Sequence, residues 1–173
     1  MFFILLAAAT ISRFLPHPAN LTPIGAIAIF AASRLGLKRG AMIALMTMII
    51  SDIFIGFNFA SIAVYVGMLA YVLSSRLIKI KYIGYLLAPL SGSVVFFLIT
   101  NFAVWLGPWY EHSLAGLIKC FTLAIPFYRN TLIGDIVFTA AIFGIVFVEK
   151  KYKFVPLRSL TRRATEGLPE LRR

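Results

Sequence analysis

Apolar residues run along this chain in long blocks with few interruptions. A membrane crossing needs about 20 mostly apolar residues, fewer where polar ends reach the interface. Six blocks are candidates: Phe2–Leu15, Ile24–Leu35, Gly40–Phe57, Ile62–Leu77, Tyr82–Leu106 and Thr131–Val148. The first two are short for a full crossing. A further apolar piece, Leu114–Phe127, is bracketed by Pro108 and Pro126, and the pattern predicts a short re-entrant or surface helix there. The expected fold class is an all-α membrane protein with six transmembrane helices plus that short helix. The N-terminal MFFILLAAATISRF carries an A-x-A pattern at Ala7 and Ala9, as a signal peptide would, but no basic residues precede its apolar run. We read it as the first crossing.

Composition agrees with the pattern. The chain has 173 residues, 61% hydrophobic and 13% charged, whereas a soluble domain carries about 25% charged residues. Mean hydropathy is +0.93. One transmembrane domain, residues 1–149, is expected, followed by a basic tail, residues 150–173. Cys120 is the only cysteine, so no disulfide forms within the chain.

The net charge of +11 changes the picture through its distribution. Lys and Arg collect on the cytoplasmic side of membrane proteins. Arg34, Lys38 and Arg39 fall in one connection, Arg76, Lys79 and Lys81 in a second, and eight basic residues in the tail, leaving only Arg13, Lys119 and Arg129 elsewhere. The excess is therefore read as membrane topology and not as a nucleic-acid surface. It puts both termini in the cytoplasm. The outer connections are then Pro16–Pro23, Gly56–Ser61 and Gly107–Asn130, rich in Pro, Asn, His and aromatic residues.

The richest of these runs on from the end of the first helix. RFLPHPANLTP, Arg13 to Pro23, holds Pro16, Pro18 and Pro23, which exclude a regular helix. Non-helical backbone at membrane depth is tolerated where it is buried in protein or lines a cavity. Ionisable residues in spans are functional candidates and usually pair. Arg13, Asp52, Arg129 and Asp135 share the outer half, and Asp52 and Asp135 are each expected to contact Arg13 or Arg129. With His17, Asn20, Asn101 and Asn130 they form the expected ligand-binding set. Thr22 and Asn58 lie at the same level. Phe57, Phe59, Trp105, Trp109, Tyr110, Phe127 and Tyr128 supply aromatic walls or an interfacial belt. Two arrangements fit: a cavity between the proline-broken segment and Ile125–Asp135, or a solid polar plug. His17, His112 and Cys120 match no metal spacing, and no catalytic set stands out, so no metal, cofactor or enzymatic role is expected.

Ala28 and Ala32, and Gly36 and Gly40, are spaced four apart. Such small-residue faces serve internal helix packing or docking of another membrane protein.

The segment TPIGAIAIFAASRLGLKRGAMIALMTMIISDIFIG, from Thr22 to Gly56, resembles the second and third helices of the substrate-binding (S) components of energy-coupling factor transporters. The likeness lies in an apolar helix, a G-x-[KRP]-x-G connection at Gly36–Gly40, and a second helix with an acid, Asp52, near its far end. RFLPHPANLTPIGA, SDIFIGF, FFLITNFAVWL and AIPFYRNTLIGD also resemble a family of small uncharacterised prokaryotic six-helix membrane proteins. The first resemblance implies a substrate under the outer loops and a membrane coupling subunit as partner. An A-x-x-x-A face on the first helix docks that subunit in S components, and this chain has Ala7, Ala8 and Ala9 instead. Together these imply a protein of the prokaryotic inner membrane, in contact with the lipid bilayer, that binds or transports a small, vitamin-like molecule captured at the outer face. The alternative is a non-transporting scaffold.

Overall fold

The structure is a computed structural model and describes residues 1–80 and 82–153. Lys81 and residues 154–173, most of the basic tail, lie outside the described residues. Six α-helices occur among the described residues: α1 Phe2–Ser12, α2 Ile24–Leu35, α3 Leu37–Ile55, α4 Ser61–Ser74, α5 Gly84–Trp105 and α6 Leu114–Lys153. A 3-10 turn, Ser75–Lys79, extends α4. Residues 1–142 form one compact unit. The second begins at Phe143, and its described part is the last turns of α6.

Helix starts are set locally. Asn58 Oδ1 accepts from the Ala60 amide and Ser61 Oγ from the Asn58 amide, which opens α4. Ser113 Oγ accepts from the Gly116 amide, an N-cap for α6. Between α2 and α3 the chain turns on Gly36 alone, at φ 92°, a left-handed backbone that glycine adopts without steric penalty.

The core is α2. Its residues from Ile24 to Ala32 are all buried, and it touches α1, α3, α4, α5 and the 3-10 turn. A helix apolar all round belongs inside a bundle. A Cβ on Gly40 would lie 2.5 Å from that of Ala32, so the backbones of α2 and α3 nearly touch there. Ala28 and Ala32 are buried in the chain's own core, which makes the small-residue pattern one of internal packing.

One expectation is met in part and another changes. Three helical segments are long and apolar enough to cross a membrane: Ser61–Lys79, Gly84–Trp105 and Leu114–Glu149. α1 and α2, at 11 and 12 residues, are shorter, and α3, at 19, carries Lys38, Arg39 and Asp52. Second, Leu114–Phe127 is not a separate re-entrant or surface helix; it runs unbroken into Thr131–Val148 as α6, with Pro126 inside. An interior proline removes one backbone hydrogen bond, and the helix continues on either side of it.

Candidate functional site

The Arg13–Pro23 segment leaves α1 at Ser12, turns at Asn20 and enters α2. Asn20 has φ 63°, a left-handed conformation that asparagine tolerates better than most residues. The Leu21 amide donates to Pro18 O at 3.0 Å. Asn130 on α6 donates from Nδ2 to Ala19 O at 3.0 Å. Gly134 adds a second approach, since a Cβ there would sit 3.5 Å from the Thr22 amide nitrogen. The two proline-containing segments therefore meet.

Their meeting leaves space. A cavity of about 290 Å³ is lined by Arg13, His17, Asn20 and Thr22 of the segment, by Gly25 of α2, Met48 and Ile55 of α3, Val64, Met68 and Tyr71 of α4, Phe96 of α5, and Thr131 and Asp135 of α6. A second, of about 260 Å³, shares Asn20, Val64, Phe96 and Thr131 and adds Phe97, Thr100, Asn101, Phe127 and Tyr128. The first sets charged and hydroxyl groups among apolar side chains, and the second sets amides and threonine hydroxyls among aromatic rings. Phe97 and Tyr128 pack with centroids 4.6 Å apart.

Two acids anchor the first cavity. Arg13 Nη2 pairs with Asp52 Oδ1 at 3.0 Å, and Nη1 donates to Met48 Sδ at 2.8 Å. Tyr65 donates to the other oxygen of Asp52 at 2.8 Å. Asp52 is buried and stands outside the lining, holding Arg13, which lines it. Asp135, 2% exposed, accepts from the Tyr71 hydroxyl at 2.5 Å. The Tyr71 ring fits a slot between glycines. A Cβ on Gly25 would lie 2.7 Å from Tyr71 Cε1, and one on Gly92 2.6 Å from Cδ1.

The eight expected residues thus separate. Arg13, His17, Asn20 and Asp135 line the first cavity, and Asn20 and Asn101 the second. Asn101 spends its Nδ2 on Phe97 O at 2.8 Å. Asn130 is used on the Ala19 carbonyl and, like Asp52, is not in either lining. Arg129 is exposed, makes no ion pair among the described residues and faces neither cavity. The expected contact of Asp135 with an arginine is therefore corrected to one with Tyr71. Helical phase is the reason. Ala124, Tyr128, Thr131 and Asp135, spaced four, three and four apart, share the inward face of α6, and Arg129 is rotated about 120° from Asp135.

Sequence reading missed Tyr65 and Tyr71, counted there with the apolar residues of α4. The available signal was physical: a hydroxyl inside an apolar span needs a partner, and two acids lay at the same level. Of the aromatics named from the sequence, Phe57, Phe59, Trp109 and Phe127 are exposed. His112 sits in the α5–α6 turn with Nε2 3.3 Å from Gly107 O, and Cys120 is buried with Sγ 3.5 Å from Asn101 O. No group of three His, Cys, Asp or Glu suited to a metal occurs among the described residues.

The sequence model of DUF6580, a family of unknown function, matches residues 1–158. The chain belongs to that family. The match takes in all six helices and both cavities of this DUF6580 protein. No curated protein and no solved structure matches it.

Proposed function

We propose that this DUF6580 protein is an integral membrane protein that binds or transports a small molecule, taken up at the end of the bundle formed by Arg13–Pro23 and the outer part of α6. The observation that carries the reading is the open cavity where those two segments meet, with the buried Tyr71–Asp135 pair in its wall. A concave site with a few converging polar groups against apolar walls is the usual form of a small-molecule site. Arg13, His17, Asn20 and Thr22 offer hydrogen bonds to a polar group, and Phe96, Phe97 and Tyr128 offer surface to an apolar or planar part. The S-component likeness supports a vitamin-like molecule captured at the outer face of a prokaryotic inner membrane, with cytoplasmic termini and a membrane coupling subunit. The reading is of a binder or carrier, without a catalytic role for these residues.

Mass spectrometry of small molecules extracted from the detergent-purified full chain tests it. One compound should copurify, and Asn20→Gly should reduce its retention several-fold while leaving the melting temperature nearly unchanged, since glycine keeps the left-handed backbone and removes the amide. Loss of stability without a copurifying compound favours the second reading, a scaffold. That reading draws on the side-chain bonds that Asp52, Asp135 and Asn130 already make within the chain.

A further inference from the structure

A separate groove lies between α4 and α5. Val66, Leu69, Leu73 and Leu77 line one wall, Val95 and Ile99 the other, with Ala70 at its middle. Its volume is about 640 Å³. The walls offer almost no free polar group: Ser74 Oγ donates to Tyr71 O and Ser91 Oγ to Ala88 O, each within its own helix. Arg76 is the one charged residue in the lining. It is exposed and makes no ion pair among the described residues. Exposed Lys79 follows on the same 3-10 turn.

Dimensions and charge narrow the occupant. From Val66 to Leu77 the groove runs about 17 Å, roughly half the 30 Å hydrocarbon core of a bilayer. That is the depth one acyl chain occupies within one leaflet. The guanidinium sits toward the end at which the basic connection emerges, where a headgroup would lie. Arginine recognises phosphate through paired N–H donors, and basic residues at the cytoplasmic interface attract anionic lipid.

We propose that the α4–α5 groove is a binding site for one acyl chain of an anionic phospholipid whose phosphate pairs with Arg76. The site rests on the membrane reading above but not on the ligand cavity, from which its residues are distinct.

The full chain is reconstituted in vesicles of phosphatidylcholine with one fifth phosphatidylglycerol, extracted in mild detergent and weighed with its bound lipids by native mass spectrometry. The wild type should retain one phosphatidylglycerol per chain. Arg76→Gln should lower that retention about tenfold, the loss of one charge-assisted contact, and leave phosphatidylcholine unchanged. Ala70→Phe, which fills the groove, should remove lipid of either kind. Lys38→Gln, an exposed basic residue elsewhere, should change nothing. Equal loss in Arg76→Gln and Lys38→Gln would mean diffuse attraction and overturn the site. So would a dimer cross-linked through Leu73→Cys, which would put a second copy in the groove. Release of the chain from vesicles by alkaline carbonate would overturn the membrane reading and the lipid site together. A missing copurified ligand with lipid retained would sink only the reading of the other cavity.

Discussion

Tyr71 on α4 and Asp135 on α6 lie 64 positions apart and meet in the core, the tyrosine hydroxyl donating to the carboxylate across 2.5 Å. The contact joins the most buried acid of α6 to a ring held between Gly25 and Gly92. It is both a tie between helices and part of the cavity wall. Tyr71→Phe keeps the ring and removes the donor, so a buried acceptor loses its partner, at a cost of about 1–3 kcal/mol. Asp135→Asn should cost a similar amount. The double variant should cost less than the two together, because each single change already breaks the shared contact. Thermal unfolding of all four proteins in one detergent gives the coupling, and strict additivity would mean that the contact contributes nothing.

Arg13 and Asp52 make a different kind of pair. The arginine side chain is 21% exposed and that of the aspartate 7%, so removing the arginine strands the more buried charge. Arg13→Ala should therefore destabilise more than Arg129→Ala, whose side chain is exposed. Breaking a fully buried pair costs about 3–5 kcal/mol, and partial exposure of Arg13 with the remaining Tyr65 bond brings the expected value to about 2 kcal/mol. Arg13→Ala combined with Asp52→Asn should recover part of the loss. Equal melting temperatures for Arg13→Ala and Arg129→Ala would mean that the pair is no more than a surface contact.

Much of this arrangement is legible in the sequence, and the rest fails for identifiable reasons. The apolar blocks locate α1 to α5 within a few residues, because burial or lipid contact selects apolar side chains along the whole element, whereas α6 reads as two pieces. Charge topology places the proline-rich segment and Ile125–Asp135 at one end of the bundle, and the two segments do meet, through Asn130 and Ala19. What the pattern does not show is phase. Arg129 and Asp135 look equivalent in a list of charges, and only the inward face set by Thr131 and Tyr128 separates them. Pro126 reads as a break, yet α6 passes through it. Tyr65 and Tyr71 read as apolar, because the pattern does not show which acid stands opposite each phenol.

The slot around Tyr71 depends on the absence of side chains. Any β-carbon on Gly25 would collide with both Tyr71 and the Asp135 carboxylate. Gly25→Ala should therefore destabilise the protein by about 1–3 kcal/mol, the usual cost of overpacking, and loosen the Tyr71–Asp135 contact. Gly144→Ala, also helical, has nothing within 4 Å of the added carbon and should stabilise by up to about 1 kcal/mol through helix propensity. Thermal unfolding of the two variants should move in opposite directions, and a neutral Gly25→Ala would show that the slot can open freely.

The last prediction concerns orientation. Positive charge gathers in the α2–α3 turn and in the 3-10 turn after α4, whereas Asn58, Phe59 and Glu111 mark connections without it. Because Lys and Arg are retained on the cytoplasmic side, the first group should face inward and the second outward. Cys120 is the only native thiol and is buried, so Cys120→Ser gives a background for single-cysteine labelling. On it, Lys38→Cys and Lys79→Cys should resist a membrane-impermeant maleimide in intact cells and react only after lysis. Phe59→Cys and Glu111→Cys should react from outside. The cavity beneath Arg13–Pro23 lies toward the Phe59 and Glu111 connections in this arrangement, so the same labels also decide which compartment it samples. External labelling at Lys38 or Lys79 would invert the protein and turn the proposed capture site toward the cytoplasm.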